Sequence, residues 1–359
     1  MNYHAALAYF PKITYQRYKK LTRYFPALKD LWVAEIDDFT KAGLEETIGH
    51  EFIIWREGHP IEAIMTELAR EQVTTVSLSD PTYPKLLREI NDPPHTLFIR
   101  GTLPKDEQPA VAIVGTRKCT NYGRQMAQDF AAELVAQGIA VVSGLALGID
   151  GIAHEAVLKA GGVTVAVLGS GVDRSHVYPA AHQRLAEEIV SRGGAVVSEY
   201  PPGFEPTQYS FPARNRVIAG LSLGTLIIEA PVESGALITA KAALDYNREV
   251  FAIPHPLTST TGQGGNNLLK LGATMVATAQ DILEALQLKN IKEIISNNQT
   301  LPASPTEAHL LEHLSKEPRH IDALIKLSGL ASGVVTGALT MMEMKGKVKN
   351  VGSMMYIVR

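Results

Sequence analysis

Hydrophobic positions along the chain change their period more than once, and each change marks a new kind of structure. Up to residue 72 apolar side chains recur at helical spacing in short runs. They predict helices over His4–Phe10, Tyr15–Tyr24, Leu28–Ile36, Asp37–Gly43, Leu44–Trp55 and Pro60–Gln72. Pro11, Pro26, Gly43, Gly49 and Gly58-His59-Pro60 punctuate them, so the connections are tight and residues 1–72 read as a small all-α domain of SAM or helix-hairpin type. A β-branched strand at Val73–Ser77 and two proline-bearing stretches, 80–87 and 91–101, follow. From Val111 short continuous apolar runs alternate with helical stretches. Strands are predicted at 111–114, 139–142, 163–168, 195–198, 224–229 and 249–253, with helices at 121–137, 149–160, 181–192, 211–221, 235–247 and 265–271. Apolar runs without polar alternation, joined by helical crossovers, mean a parallel sheet covered on both faces: a doubly wound, extended Rossmann-like α/β domain over 73–286. Residues 287–304 are polar and proline-bearing, a linker. Residues 305–359 hold three helical runs and a Gly-punctuated hairpin, the pattern of a winged helix.

Composition narrows the partners. With hydrophobic residues at 45% and charged residues at 20%, the chain has ample material for cores and is not globally disordered. Lys+Arg 34 against Asp+Glu 37 gives a net charge of -3, so bulk charge does not coat a polyanion and any polyanion site is local. A single cysteine, Cys119, excludes an intramolecular disulfide framework and a Cys-based zinc site. No apolar run is long enough for a membrane span and no secretory leader pattern is present, so the expectation is a cytoplasmic protein without membrane contact.

In an open parallel sheet, ligands bind beyond the carboxyl ends of the strands, which selects the loops to read. The first, Gly115-Thr116-Arg117-Lys118-Cys119-Thr120, joins a strand to a helix; residues 113–124 hold three cations and no acid, beside the free N–H groups of a helix N-terminus. It reads as an anion site. The second, opening with Ser143 and Gly144 and running to His154, has small residues that let a ligand approach the backbone, but it is neither a dinucleotide fingerprint nor a Walker A loop. Asp150 and His154 read there as cap or core residues at least as readily as catalytic ones. Tyr209-Ser210-Phe211-Pro212-Ala213-Arg214-Asn215-Arg216 places an aromatic beside two arginines and an amide, a combination that stacks on bases while guanidinium groups hold phosphates. Ser234 and Gly235 open a further helix that carries Lys241, and the polar run 258–267 lies on the same rim.

VGTR at 114–117, SGLALGID at 143–150, FPARNRVIAGLS at 211–222, SGALITA at 234–240 and GGNNLLKLGA at 264–273, in this order and spacing, resemble the DNA-processing protein A (DprA/Smf) family. The resemblance implies a non-enzymatic, homodimeric single-stranded DNA-binding protein without cofactor or metal that protects incoming DNA in natural transformation and loads the RecA recombinase. It carries DNA contacts onto Arg117, Gly144, Phe211, Arg214, Asn215 and Arg216. Position and charge add Lys118 and Lys241, and the loop reading adds Gly115, Thr116 and Ser143. For the C-terminal domain, partner binding or self-association is preferred over duplex contact through Lys345, Lys347 and Lys349. The alternative function is a phosphoribohydrolase-like nucleotide-processing enzyme on a related fold. From Pro231, however, Val232 and Glu233 replace the required glycines and Thr239 stands where that chemistry needs its glutamate.

Overall fold

The structure, a computed structural model, describes residues 2–288, 304–315, 317–344 and 348–358. The chain divides into two compact units, Met1–Lys289 and Asn290–Arg359.

In the first unit, helices α1 (Tyr3–Ala8), α2 (Tyr15–Tyr24), α3 (Ile36–Lys41), α4 (Glu46–Gly58) and α5 (Ile61–Arg70) precede the sheet. The run expected as one helix over 28–36 is a 3-10 turn at Leu28–Trp32 followed by α3. The break arises because Glu35 and Asp38 form a reciprocal capping box that starts a new helix. Phe10, Phe39 and Phe52 centre a small core of their own. Ala5, Ala6, Ile61, Ile64 and Leu68 instead join Phe98, Ala166 and Val196 in a core shared with the sheet.

Nine strands follow: β1 (Thr74–Ser77), β2 (Thr96–Gly101), β3 (Ala110–Val114), β4 (Ala140–Ser143), β5 (Thr164–Leu168), β6 (Ala195–Ser198), β7 (Gly224–Ile227), β8 (Glu249–Ala252) and β9 (Thr274–Met275). Their order is β1-β2-β6-β5-β4-β3-β7-β8-β9. The six strands expected from the apolar runs are all present and mutually parallel, from β6 through β8. The strand expected at Val73–Ser77 is β1, and it joins β2, which the proline-rich segment concealed, in an antiparallel edge. Helices α6 (Lys85–Arg88), α7 (Asn121–Ala136), α8 (Ile149–Lys159), α9 (Gln183–Ser191), α10 (Ser210–Gly220), α11 (Ala236–Asp245), α12 (Gln263–Lys270) and α13 (Ala279–Ala285) complete the unit. The strands are buried on both faces, and β5 shows how: Val165 and Val167 pack into the cluster that holds Val217 and Ala240, while Ala166 and Leu168 pack against Ala186 and Ile189.

From β3 the chain winds outward through β4, β5 and β6, then returns to place β7 on the other side of β3. Val114 pairs with Ile227 in the register, so the loops leaving β3 and β7 diverge side by side, and the topological switch point lies between them.

The second unit contains α14 (Pro305–Leu311), α15 (Ile321–Ser328) and α16 (Ser332–Met344), with β10 (Arg319–His320), β11 (Val348–Asn350) and β12 (Met355–Val358) in the antiparallel order β10-β12-β11. Three helices and a hairpin agree with the sequence pattern, around Leu310, Leu324, Val335, Leu339 and Tyr356. Most of the expected linker 287–304, and Lys345 and Lys347, lie outside the described residues. Among the described residues no single helix is long and apolar enough to cross a membrane.

Candidate nucleic-acid interface

A cleft of about 500 Å³ opens at the switch point, lined by Gly115–Lys118 from the β3 loop, Phe211, Arg214 and Asn215 from α10, and Pro231 to Thr239 around the start of α11. Four helix N-termini, those of α7, α8, α10 and α11, meet on this rim. Their amide groups carry partial positive charge toward the strand ends.

The β3 loop is held from both sides. Thr116 N–H donates to Glu229 O at 2.7 Å, and Thr116 O accepts from Ile149 N–H at 3.2 Å. Thr120 caps α7 by accepting from Gly123 N–H at 3.1 Å, while its own N–H and hydroxyl donate to Glu229 Oε2 at 2.9 and 3.1 Å. Glu229 is therefore a buried anchor for the loop. With the loop fixed, Arg117 and Lys118 are exposed, and the Arg117 guanidinium lies over the Phe211 ring, 5.7 Å from its centroid. Phe211 is half-buried rather than fully exposed, because Tyr178 leans on it at 5.3 Å and 45°.

Arg214 forms the floor. Its Nη1 donates to Gly144 O and Val167 O at the ends of β4 and β5, and its Nε donates to Asn215 Oδ1 at 3.1 Å. Burial pulls its pKa down to about 10, opposed by Asp150, so the charge persists at neutral pH. Burial pushes the Asp150 carboxyl above its ordinary value, opposed by Arg214 and by N–H groups of Ala146, Gly144 and Gly115. Gly144 is needed here: a Cβ would come within 2.4 Å of Arg214 Nη1. Asn215 Nδ2 donates to Gly235 O at 3.1 Å and ties α10 to the start of α11.

The other expected residues lie elsewhere. Ser143 is buried and its hydroxyl donates to Ile113 O at 2.6 Å, so it serves the scaffold. Lys241 is exposed on α11, roughly 7.5 Å below the helix start at 1.5 Å per residue, and does not line the cleft. The expectation of Arg216 in this pocket is corrected by the structure. Two positions after Arg214 is about 200° around the helix, and Arg216 faces a second cleft, pairing with Asp92 at 3.2 Å and with Glu199. Burial works against its charge, but Glu199 and Asp92 outweigh burial and hold the guanidinium above its ordinary value.

Asp150 and His154 take structural roles. Thr164 Oγ1 donates to Val141 O at 2.8 Å, so His154 Nδ1 donates to Thr164 Oγ1 at 2.7 Å; burial drives this histidine down to about 3 and it stays neutral. Of the polar run 258–267, Thr261 reaches the cleft, whereas Asn266 is committed to the backbone of His255 at 3.0 Å on both sides. Sequence reasoning missed Tyr178 as the partner of Phe211 and Glu229 as the loop anchor. An aromatic before Pro179 on a strand-end loop was the available signal for the first; nothing local marks the second.

A doubly wound α/β unit with cations and helix N-termini converging on its switch point defines a class of protein that binds an anionic ligand at the strand-end rim, here followed in sequence by a three-helix, three-stranded unit. The family model for DNA recombination-mediator protein A matches residues 74–287, and the DprA winged helix domain model matches residues 296–352. Protein Smf of Synechocystis sp. is 33% identical over 380 residues, covering 94% of each chain. DNA processing protein DprA of Streptococcus pneumoniae is 42% identical over 217 residues, 59% of this chain and 74% of that one. The X-ray structure of the Streptococcus pneumoniae protein superposes with a TM-score of 0.66 at 33% identity, covering 79% of this chain and 98% of that one. A Helicobacter pylori DNA processing protein A structure, described for its single-stranded DNA binding mode, gives a TM-score of 0.53 at 32% identity over 60% of this chain and 96% of that one. The chain belongs to the DNA-processing protein A (DprA/Smf) family.

Proposed function

We propose that the switch-point cleft binds single-stranded DNA and that this protein is a binding protein rather than an enzyme. The observation that carries the reading is the Arg117 guanidinium over Phe211 on the wall of a cleft with Arg117, Lys118 and Arg214 against one buried carboxylate, Asp150. Arg117 and Lys118 supply phosphate contacts with the N–H groups at the start of α11 around Gly235, and Phe211 supplies a stacking face. Arg214, Asn215 and Gly144 shape the floor; Arg216 and Lys241 stand outside the contact set.

Catalysis by a carboxylate is not favoured. Asp150 spends its oxygens on backbone N–H groups, and Thr239, at the position where a phosphoribohydrolase-like enzyme needs glutamate, is buried. Homodimerisation, protection of incoming strands in natural transformation and RecA loading belong to the same proposal and draw their support from family membership. Two pockets joined in a dimer would gain avidity on one strand.

The test is anisotropy titration of a labelled oligothymidylate with the full chain across a salt series. Arg117→Ala weakens binding and reduces the magnitude of the log-log salt slope by about 0.7 for one lost phosphate contact. An unchanged slope and affinity would place the site elsewhere.

A further inference from the structure

The second unit carries a cluster that the DNA-binding reading does not use. His309, Glu312 and His313 follow one another at i, i+3 and i+4 from the last turn of α14, so their side chains share a face. One ligand atom from each lies within 4.8 Å of the others.

The hydrogen bonding of His309 sets its protonation pattern. Its Nε2 is 3.0 Å from the carbonyl oxygen of Ser328, at the end of α15. A carbonyl only accepts, so Nε2 carries the hydrogen and, in the neutral ring, Nδ1 presents a bare lone pair. Nδ1 lies 3.5 Å from Glu312 Oε2. Two acceptors this close repel unless a cation lies between them. A charge-assisted N–H···O bond would draw the atoms to about 2.7–2.9 Å. Two ligands of a tetrahedral ion with bonds near 2.0–2.1 Å instead sit about 3.3 Å apart, close to what is observed. His313 adds a ring whose centroid is 5.2 Å from that of His309 at 77°, and its Nε2 is buried without a hydrogen-bond partner.

We propose that His309 Nδ1, Glu312 and His313 Nε2 form a site for a divalent transition ion of the zinc class. Two imidazoles and one carboxylate are the donor set that such ions take, whereas calcium and magnesium prefer oxygen throughout. Small side-chain rotations bring His313 from its present separation into the coordination sphere. Glu312 is 69% exposed, so water fills the remaining position. The Ser328 carbonyl plays the outer-shell role, fixing the His309 tautomer. The ion would thereby tie the end of α14 to the end of α15 and brace the winged-helix unit.

The experiment strips the full-length chain with a chelator and titrates it with Co²⁺, following the visible d–d bands, then displaces Co²⁺ with Zn²⁺. The expected result is saturation at a single equivalent, loss of the bands on adding Zn²⁺, and affinity lowered at least about tenfold in Glu312→Gln and in His313→Ala, with His50→Gln, on α4 of the other unit, unchanged. Glu312→Gln alters an exposed side chain, so it keeps the test valid where His313→Ala fails to fold. Absent bands at stoichiometric Co²⁺, or Glu312→Gln binding like the parent, would overturn the proposal and leave His309 and Glu312 as a proton-bridged pair.

Discussion

Two clefts flank α10, and each receives one arginine from the same short motif. Arg214 runs into the switch-point cleft, where its neighbours are strand-end carbonyls and the buried Asp150. Arg216 runs into a larger cleft of about 810 Å³ between the α1–α2 connection and the loop after β6, where Glu199 and Asp92 neutralise it beside the stacked rings of Tyr200 and Phe204. The first cleft keeps Arg117 and Lys118 exposed, and among the described residues no carboxylate forms an ion pair with either; the second pairs its arginine with two carboxylates. Local cation count is thus a poor guide to an anion site unless the partners of each cation are known.

The largest effect is expected at Arg214. Arg214→Met leaves Asp150 buried without its counter-charge and frees two strand-end carbonyls, a change costing about 3–5 kcal/mol of stability, measured by chemical denaturation. The pH dependence has a definite sign. Removing the cation raises the Asp150 pKa further above its unfolded value, so the folded variant binds a proton that the unfolded chain does not, and stability recovers as pH falls through the folded pKa. The deficit relative to the parent therefore narrows in acid. A deficit that is constant with pH would mean that the Arg214–Asp150 coupling is not what holds the floor.

Arg216 sharpens the contrast. Arg216→Met strands Glu199, whose carboxyl burial already pushes upward, and costs about 1–3 kcal/mol, while oligothymidylate affinity and its salt slope stay at the parent values. Weakened strand binding in a variant that remains folded would break the division between the clefts and return Arg216 to the contact surface.

Much of this was legible from the chain, for identifiable reasons. Both-face burial forces continuous apolar strands, so β3 to β8 stand out, and the rule that ligands gather at strand carboxyl ends points to the loop at 115–118 and the α10 entry. Residues two apart on a helix are about 200° around it from one another, so the sequence already sets Arg214 and Arg216 toward opposite sides of α10. It does not say which one enters the switch-point cleft, because that depends on Glu199 and Asp92, 17 and 124 positions from Arg216. That Phe211 is half-buried is illegible for the same reason: Tyr178 reaches it from a different strand-end loop. Strand β1 was legible as a β-branched run, but β2 was hidden because Pro93 and Pro94 mask its start and its pairing is long-range.

Phe211 separates stacking from charge within the first cleft. Phe211→Ala removes the aromatic face and is expected to lose about 1–3 kcal/mol of single-strand affinity with little change in salt slope. A change in slope without loss of affinity at low salt would show that the ring acts by positioning Arg117.

The smallest effect is kinetic and comes from Cys119, the sole cysteine, half-buried beside Lys118 in the β3 loop. If a strand runs over Arg117 and Lys118, it crowds the approach to this thiol, and oligothymidylate should slow its alkylation in the parent. The comparison between clefts then supplies the control. Arg117→Ala, weakened in strand binding, should lose part of the protection at a fixed DNA concentration, whereas Arg216→Met should keep all of it. Mass spectrometry of the modified fraction over time reads both. Protection that survives Arg117→Ala but disappears in Arg216→Met would invert the assignment, because it would mean that DNA reaches the β3 loop from the second cleft's side of α10.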